Sequence, residues 1–135
     1  MLKSVIEIKT EKSIEMISIT PEVQAFVLKH KIQNGRINIF VPHTTASITI
    51  NENADPSVQY DMNKAIAEVF PITLNIMHNE GNSSAHLMSS LMGVSLDLFV
   101  ENGKLLLGEW QGIYLWEFDG PRLRKYFIIH ERSEV

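Results

Sequence analysis

Strand-like patterns run from about Leu2 to Lys9 and from Ser13 to Ile19; in the second, Ile14, Met16 and Ser18 alternate with Glu15, Ile17 and Ile19. The period then changes. Val23, Phe26, Val27 and His30 recur at helical spacing, with Thr20 as N-cap, Pro21 at the first helical position, Glu22 as an early negative charge and Asn34-Gly35 as the stop. His30 therefore falls on or beside a packed face. Alternation returns at Arg36, with Ile37, Ile39 and Val41 set against Asn38 and Phe40 until Pro42; Ala46 to Asn51 repeats it. His43 lies in the break. Asp55-Pro56 opens a second helix with Asp55 as N-cap, Val58, Met62, Ala65, Ile66 and Val69 as its inward stripe, and Pro71 at its end. After a short segment through Ile76, the polar loop from His78 leads into a helical turn from Ser84 to Met92, with His86 in the first turn and Gly93 closing it. Three strands follow: Val94 to Val100, then Lys104 to about Leu107 continuing in broken form through Tyr114-Leu115-Trp116, then Arg124 to His130. Asn102-Gly103 signals a type I′ hairpin. Strands interspersed with helices, without regular alternation, predict an α+β fold.

At 135 residues the chain makes one domain with one real core, and no linker or repeat divides it. The composition, 44% hydrophobic and 21% charged, excludes disorder. A net charge of -4 argues against nucleic-acid binding driven by overall charge. No apolar run is long enough for a signal core or a bilayer span, and no cysteine is present for disulfide or thiolate chemistry. The expectation is a cytoplasmic protein acting on a small molecule, with no membrane and no nucleic-acid partner.

The absence of cysteine turns attention to histidine. His43, in His43-Thr44-Thr45-Ala46, and His78 and His86, which bracket Asn79 to Ala85, sit in polar, turn-rich segments. Three neutral imidazoles would leave one position of a tetrahedral zinc ion open, the catalytic arrangement; they could equally cap turns or exchange protons. Glu80, between two of them, is placed as a base, whereas Glu52, Asp55 and Asp61 gather near the second helix start, where capping and solvation account for Asp55 and Asp61. The loop Glu80 to Ser84 precedes a helix and could seat an anion, with Asn82 or Ser83 as cap; it lacks the pattern of a P-loop. Arg122 and Arg124 offer planar forks for phosphate near the turn Asp119-Gly120-Pro121. Trp110 and Trp116 read first as core.

Several ordered blocks resemble the YjbQ-like proteins, also called the secondary thiamine-phosphate synthase family: Pro42-His43-Thr44-Thr45-Ala46-Ser47, Asn51-Glu52-Asn53-Ala54-Asp55-Pro56, Ala85-His86-Leu87, Leu107 to Tyr114, and Glu117-Phe118-Asp119-Gly120-Pro121-Arg122. Glu109 stands where threonine is more usual, and Ser83-Ser84 replaces a more acidic stretch, leaving Glu80 as that loop's only carboxylate. The resemblance implies a β-sandwich-like sheet arrangement with two to three helices, assembled as a homotrimer. It also implies a polar pocket around His43, His78 and His86, near a subunit boundary. That pocket would hold a divalent metal, zinc foremost or magnesium beside a diphosphate, with Asn51, Asp55, Asn82 and Arg122 as neighbours. It further implies a weak secondary thiamine-phosphate synthase activity, joining a pyrimidine diphosphate to a thiazole phosphate with release of pyrophosphate. The primary function stays open. Metal-assisted hydrolysis of a small phosphorylated or carbonyl metabolite, or anion binding by a non-catalytic trimeric scaffold, would use the same residues.

Overall fold

A computed structural model describes residues 1–73 and 77–131. The elements run β1 (Leu2–Lys9), β2 (Glu15–Ser18), α1 (Thr20–Lys29), β3 (Gly35–Phe40), β4 (Ala46–Glu52), α2 (Pro56–Val69), α3 (Ser83–Met92), β5 (Ser95–Glu101), β6 (Lys104–Leu105), β7 (Gln111–Glu117) and β8 (Leu123–His130). They form an α+β fold with three helices. One sheet is ordered β1-β8-β3-β5-β6 and the other β2-β7-β4, with every pairing antiparallel. Both sheets turn apolar residues onto a common core: Ile37, Ile39, Leu98 and Ile128 from the larger, Ile48, Ile113 and Leu115 from the smaller, closed by Val23, Phe26 and Val27 of α1. A second cluster seats Ile66 of α2 and Met88 of α3 against Trp116 and Phe118. This cluster fixes α3 beside the end of β7, where the histidines gather.

Several predicted details change. Thr20 is the first residue of α1 and not its N-cap, because its Oγ1 accepts the Ile113 N–H at 2.8 Å and ties the helix to β7. The same helix ends at Lys29, before Asn34-Gly35; Lys31, at φ 53°, makes the turn. The segment Tyr114-Leu115-Trp116 does not continue β6; it lies in β7, the centre of the other sheet. Trp116 is buried, but Trp110 is 60% exposed, outside the core predicted for it. Along α2, Ala65 and Val69 face solvent, and Met62, Ile66 and Phe70 make the packed side. The predicted segment through Ile76 ends in residues 74–76, outside the described residues. Asp55 caps α2 as expected, accepting the Ser57 N–H at 2.9 Å, and Asn102 and Gly103 both take the positive φ that a type I′ turn requires.

Candidate functional site

Three segments distant in sequence meet where β3 ends and β8 begins in the larger sheet. The first is the β3–β4 connection, which carries His43; the second is the loop into α3 with the first turn of that helix, carrying His78, Glu80, Asn82 and His86; the third is the β7–β8 turn with the start of β8, carrying Arg122 and Arg124. Together they line a cavity of about 410 Å³. Seven of the nine residues singled out from the sequence as catalytic or substrate-binding are therefore brought together. Asn51 and Asp55 are not. Asn51 lies five residues along β4 from Ala46, about 16 Å at strand rise, and its Oδ1 accepts the Glu52 N–H at 2.8 Å. The Asp55 carboxylate is committed to Ser57, whose bonds hold its pKa below the ordinary value. A larger cleft of about 770 Å³ opens between His30, Arg36, Asp97 and His130, but it contains none of the three convergent histidines and its charges are mixed.

His43 is fixed by its neighbour in the sheet: Nε2 accepts the backbone N–H of Lys125 at 3.1 Å. A nitrogen that accepts keeps its lone pair there, so the proton of the neutral ring sits on Nδ1. Burial, then the positive charge of Arg124, lowers the His43 pKa against the opposing pull of Glu117. The ring therefore enters the site as a neutral hydrogen-bond donor. His78 and His86 form a separate pair, edge to face with centroids 5.5 Å apart.

The three histidines share a cavity without forming a three-ligand metal centre. Among the described residues no three His, Asp or Glu side chains are grouped to hold an ion. The physical reason lies at His43, whose available lone pair is already taken by the strand backbone.

Arginine roles divide. Arg122 is braced on one edge by Asp119, with Nε donating to the main-chain oxygen and Nη2 to the carboxylate, both at 2.8 Å. Asp119 Oδ2 also accepts Asn82 Nδ2 at 2.7 Å, which latches the start of α3 to the β7–β8 turn. Asn82 sits at the N-cap position, but its side chain makes no cap bond; Nδ2 also reaches Glu80 at 3.2 Å, and the buried Oδ1 has no partner among the described residues. Arg124 lies beneath the cavity, 3% exposed, with Nε and Nη2 donating to the fully buried Glu117 carboxylate and Nη2 also donating to Thr45 Oγ1 at 2.7 Å. Thr10 Oγ1 and the Asp119 N–H complete the Glu117 carboxylate. Burial pushes the Glu117 pKa upward, but these hydrogen bonds and the charge of Arg124 outweigh it and hold it low. Arg124 is thus a positioning residue beneath the pocket.

Residues 4–131 match a family model described as UPF0047 protein YjbQ-like. The chain belongs to the YjbQ-like family. It is 54% identical over 129 residues to the UPF0047 protein YugU of Bacillus subtilis, covering 95% of this chain and 97% of that one. It is 48% identical over 122 residues to the UPF0047 protein MJ1081 of Methanocaldococcus jannaschii, covering 90% and 88%. Among solved structures, an uncharacterised YjbQ/UPF0047 protein from Clostridium acetobutylicum superposes with a TM-score of 0.91 at 48% identity, covering 93% of this chain and 98% of that one. A hypothetical protein, APE1520, from Aeropyrum pernix gives a TM-score of 0.93 at 32% identity, covering 98% and 100%.

Within this YjbQ-like fold, sequence reasoning missed Thr10, Thr45, Glu117 and Asp119 as parts of the site's framework. Glu117 had a readable signal: it is a charge that ends the apolar run Ile113-Tyr114-Leu115-Trp116. A carboxylate there needs a buried cation. That Arg124 supplies it depends on β8 lying beside the β3–β4 connection, which no local pattern encodes.

Proposed function

We propose that this chain is an enzyme acting on a small phosphorylated molecule in the cavity of His43, His78, His86 and Arg122. The observation that carries the reading is the convergence of these side chains with Glu80 and Asn82 in one pocket of about 410 Å³. Arg122, braced by Asp119, presents a guanidinium to phosphate, and the His43 Nδ1–H donates to a second oxygen. Glu80, His78 or His86 handles the proton, and orientation with charge neutralisation carries most of the rate.

Thiamine-phosphate synthase is the finer form of this proposal, as a secondary activity. Arg122, with the His43 Nδ1–H beside it, would stabilise departing pyrophosphate while the thiazole nitrogen attacks the pyrimidine methylene. A divalent cation, zinc foremost, belongs to the proposal, with His78 and His86 as the residues that would hold it; it would supply further positive charge when bound, leaving the proton to Glu80. His43, Arg122 and Glu80 perform the binding and proton steps described here without it. Assembly as a homotrimer and residence in a reducing cytoplasm are part of the same reading; the latter rests on the absence of cysteine. Among the described residues no helix is long and apolar enough to cross a membrane.

The test is turnover of the pyrimidine diphosphate and thiazole phosphate pair by purified protein, with His43→Ala and Arg122→Ala beside it. A fall of about 10²-fold or more in either variant is expected for loss of a donor that acts on developing charge. Unchanged turnover in both would remove this pocket as the active site, and saturable phosphate binding without turnover would make it a binding module.

A further inference from the structure

The histidine cavity is not alone at this end of the sheet. A second cavity of about 370 Å³ lies against the C-terminal half of α3, and His43, Thr44 and His86 line both. Their linings differ. Beyond the shared histidines, the first holds Arg122, Glu80 and Asn82, while the second is closed by Ser89, Ser90, Gly93 and Val94, none of which ionises. Ser89 is buried, and its hydroxyl is committed to the Ala46 carbonyl at 2.7 Å, so the wall it forms is effectively apolar. Gly93 is held at φ 90°, where side chains are strained, and a Cβ there would meet nothing within 4 Å. The backbone thus closes α3 while keeping this wall open.

We infer that the site takes a ligand in two parts, joined across the waist of His43, Thr44 and His86. The anionic head lies by Arg122, and a small uncharged, partly apolar body lies against Ser90, Gly93 and Val94. The substrate class is accordingly a phosphate or diphosphate ester with a compact organic body, not inorganic phosphate or a polyanion filling both chambers. His43 and His86 would then flank the bond between head and body, the position from which either can act on the linking oxygen. This inference rests on the phosphate-binding reading of the first cavity.

Calorimetric titration with inorganic phosphate and with n-propyl phosphate tests it on the whole chain. Wild type is expected to bind propyl phosphate roughly tenfold more tightly, the increment for withdrawing about two methylenes from water. Ser90→Phe, at an exposed position of α3, would fill the second cavity and bring the ratio of the two affinities near one; Ser90→Leu would give an intermediate ratio. Because the readout is a ratio, general loss of affinity does not mimic it. Equal affinities in wild type, or an unchanged ratio in Ser90→Phe, would overturn the two-part ligand while leaving the phosphate site standing. If neither probe bound wild type, the phosphate-binding reading and this inference would fail together.

Discussion

Glu117 and Arg124 are withdrawn from water together, and each is tolerable there only because the other is present. Removing one partner strands a buried charge, so Glu117→Ala is expected to lower unfolding stability by about 3–5 kcal/mol in urea titration. Replacing both, as Glu117→Leu with Arg124→Met, should recover a large part of that loss. The pair also sets an acid response. Since the folded state holds the Glu117 pKa below its unfolded value, its contribution is complete above the ordinary glutamate pKa, about 4.3. It is lost as pH falls from there through the folded value; Glu117→Gln should flatten this part of a plot of urea midpoint against pH. Metal content gives a second test at this scale. In elemental analysis, His78→Ala and His86→Ala should lose bound zinc, while His43→Ala should retain it, because its lone pair faces Lys125 N–H. Loss in all three would restore the His₃ site. The histidines were legible because they stand in polar turns; the His43 bond to Lys125 was not, since a backbone donor 82 positions away leaves no mark near His43.

At the scale of elements, periodicity located most strands and all three helices, and erred where tertiary contacts override a local signal. Thr20 has the composition of a cap but bonds to β7, and the apolar positions Ala65 and Val69 of α2 face solvent because the packed side is set by Trp116 and Phe118. Assigning β7 to the smaller sheet, between β2 and β4, was beyond a local pattern, because alternation specifies a face and not a partner. The β7–β8 turn shows how closely the elements fit. A Cβ at Gly120 would collide with the Lys12 carbonyl oxygen and approach Thr10 Oγ1 and Glu117 Cγ to 2.9 Å, so Gly120→Ala should lose cooperative folding in a thermal melt. Gly112→Ala, whose Cβ would come within 2.8 Å of Asn53 Cβ, should also lower Tm, because that Cβ moves only with a backbone whose N–H is bonded to the Trp110 carbonyl.

For the whole molecule, the proposed assembly can be tested on the outer face of the larger sheet. Phe40 and Phe127 stack there at 6.2 Å, beside the half-exposed Val5 and beneath Lys3, with Phe99 exposed across the sheet. If this face joins subunits, Phe127→Asp should convert a trimer to monomers in light scattering coupled to gel filtration, while a trimer that survived it would place the contact elsewhere. The larger sheet has another consequence, in the pairing of its first strand with its last, Leu2 opposite His130 and Lys9 opposite Leu123. During synthesis, β1 must wait for nearly the whole chain before its neighbour exists, and Glu117 emerges from the ribosome before the arginine that neutralises it. Pairings so remote in sequence close slowly. The pocket is therefore among the last parts of a nascent chain to assemble, and a ribosome stalled short of β8 would carry a chain with its two histidine-bearing loops made and no cavity between them.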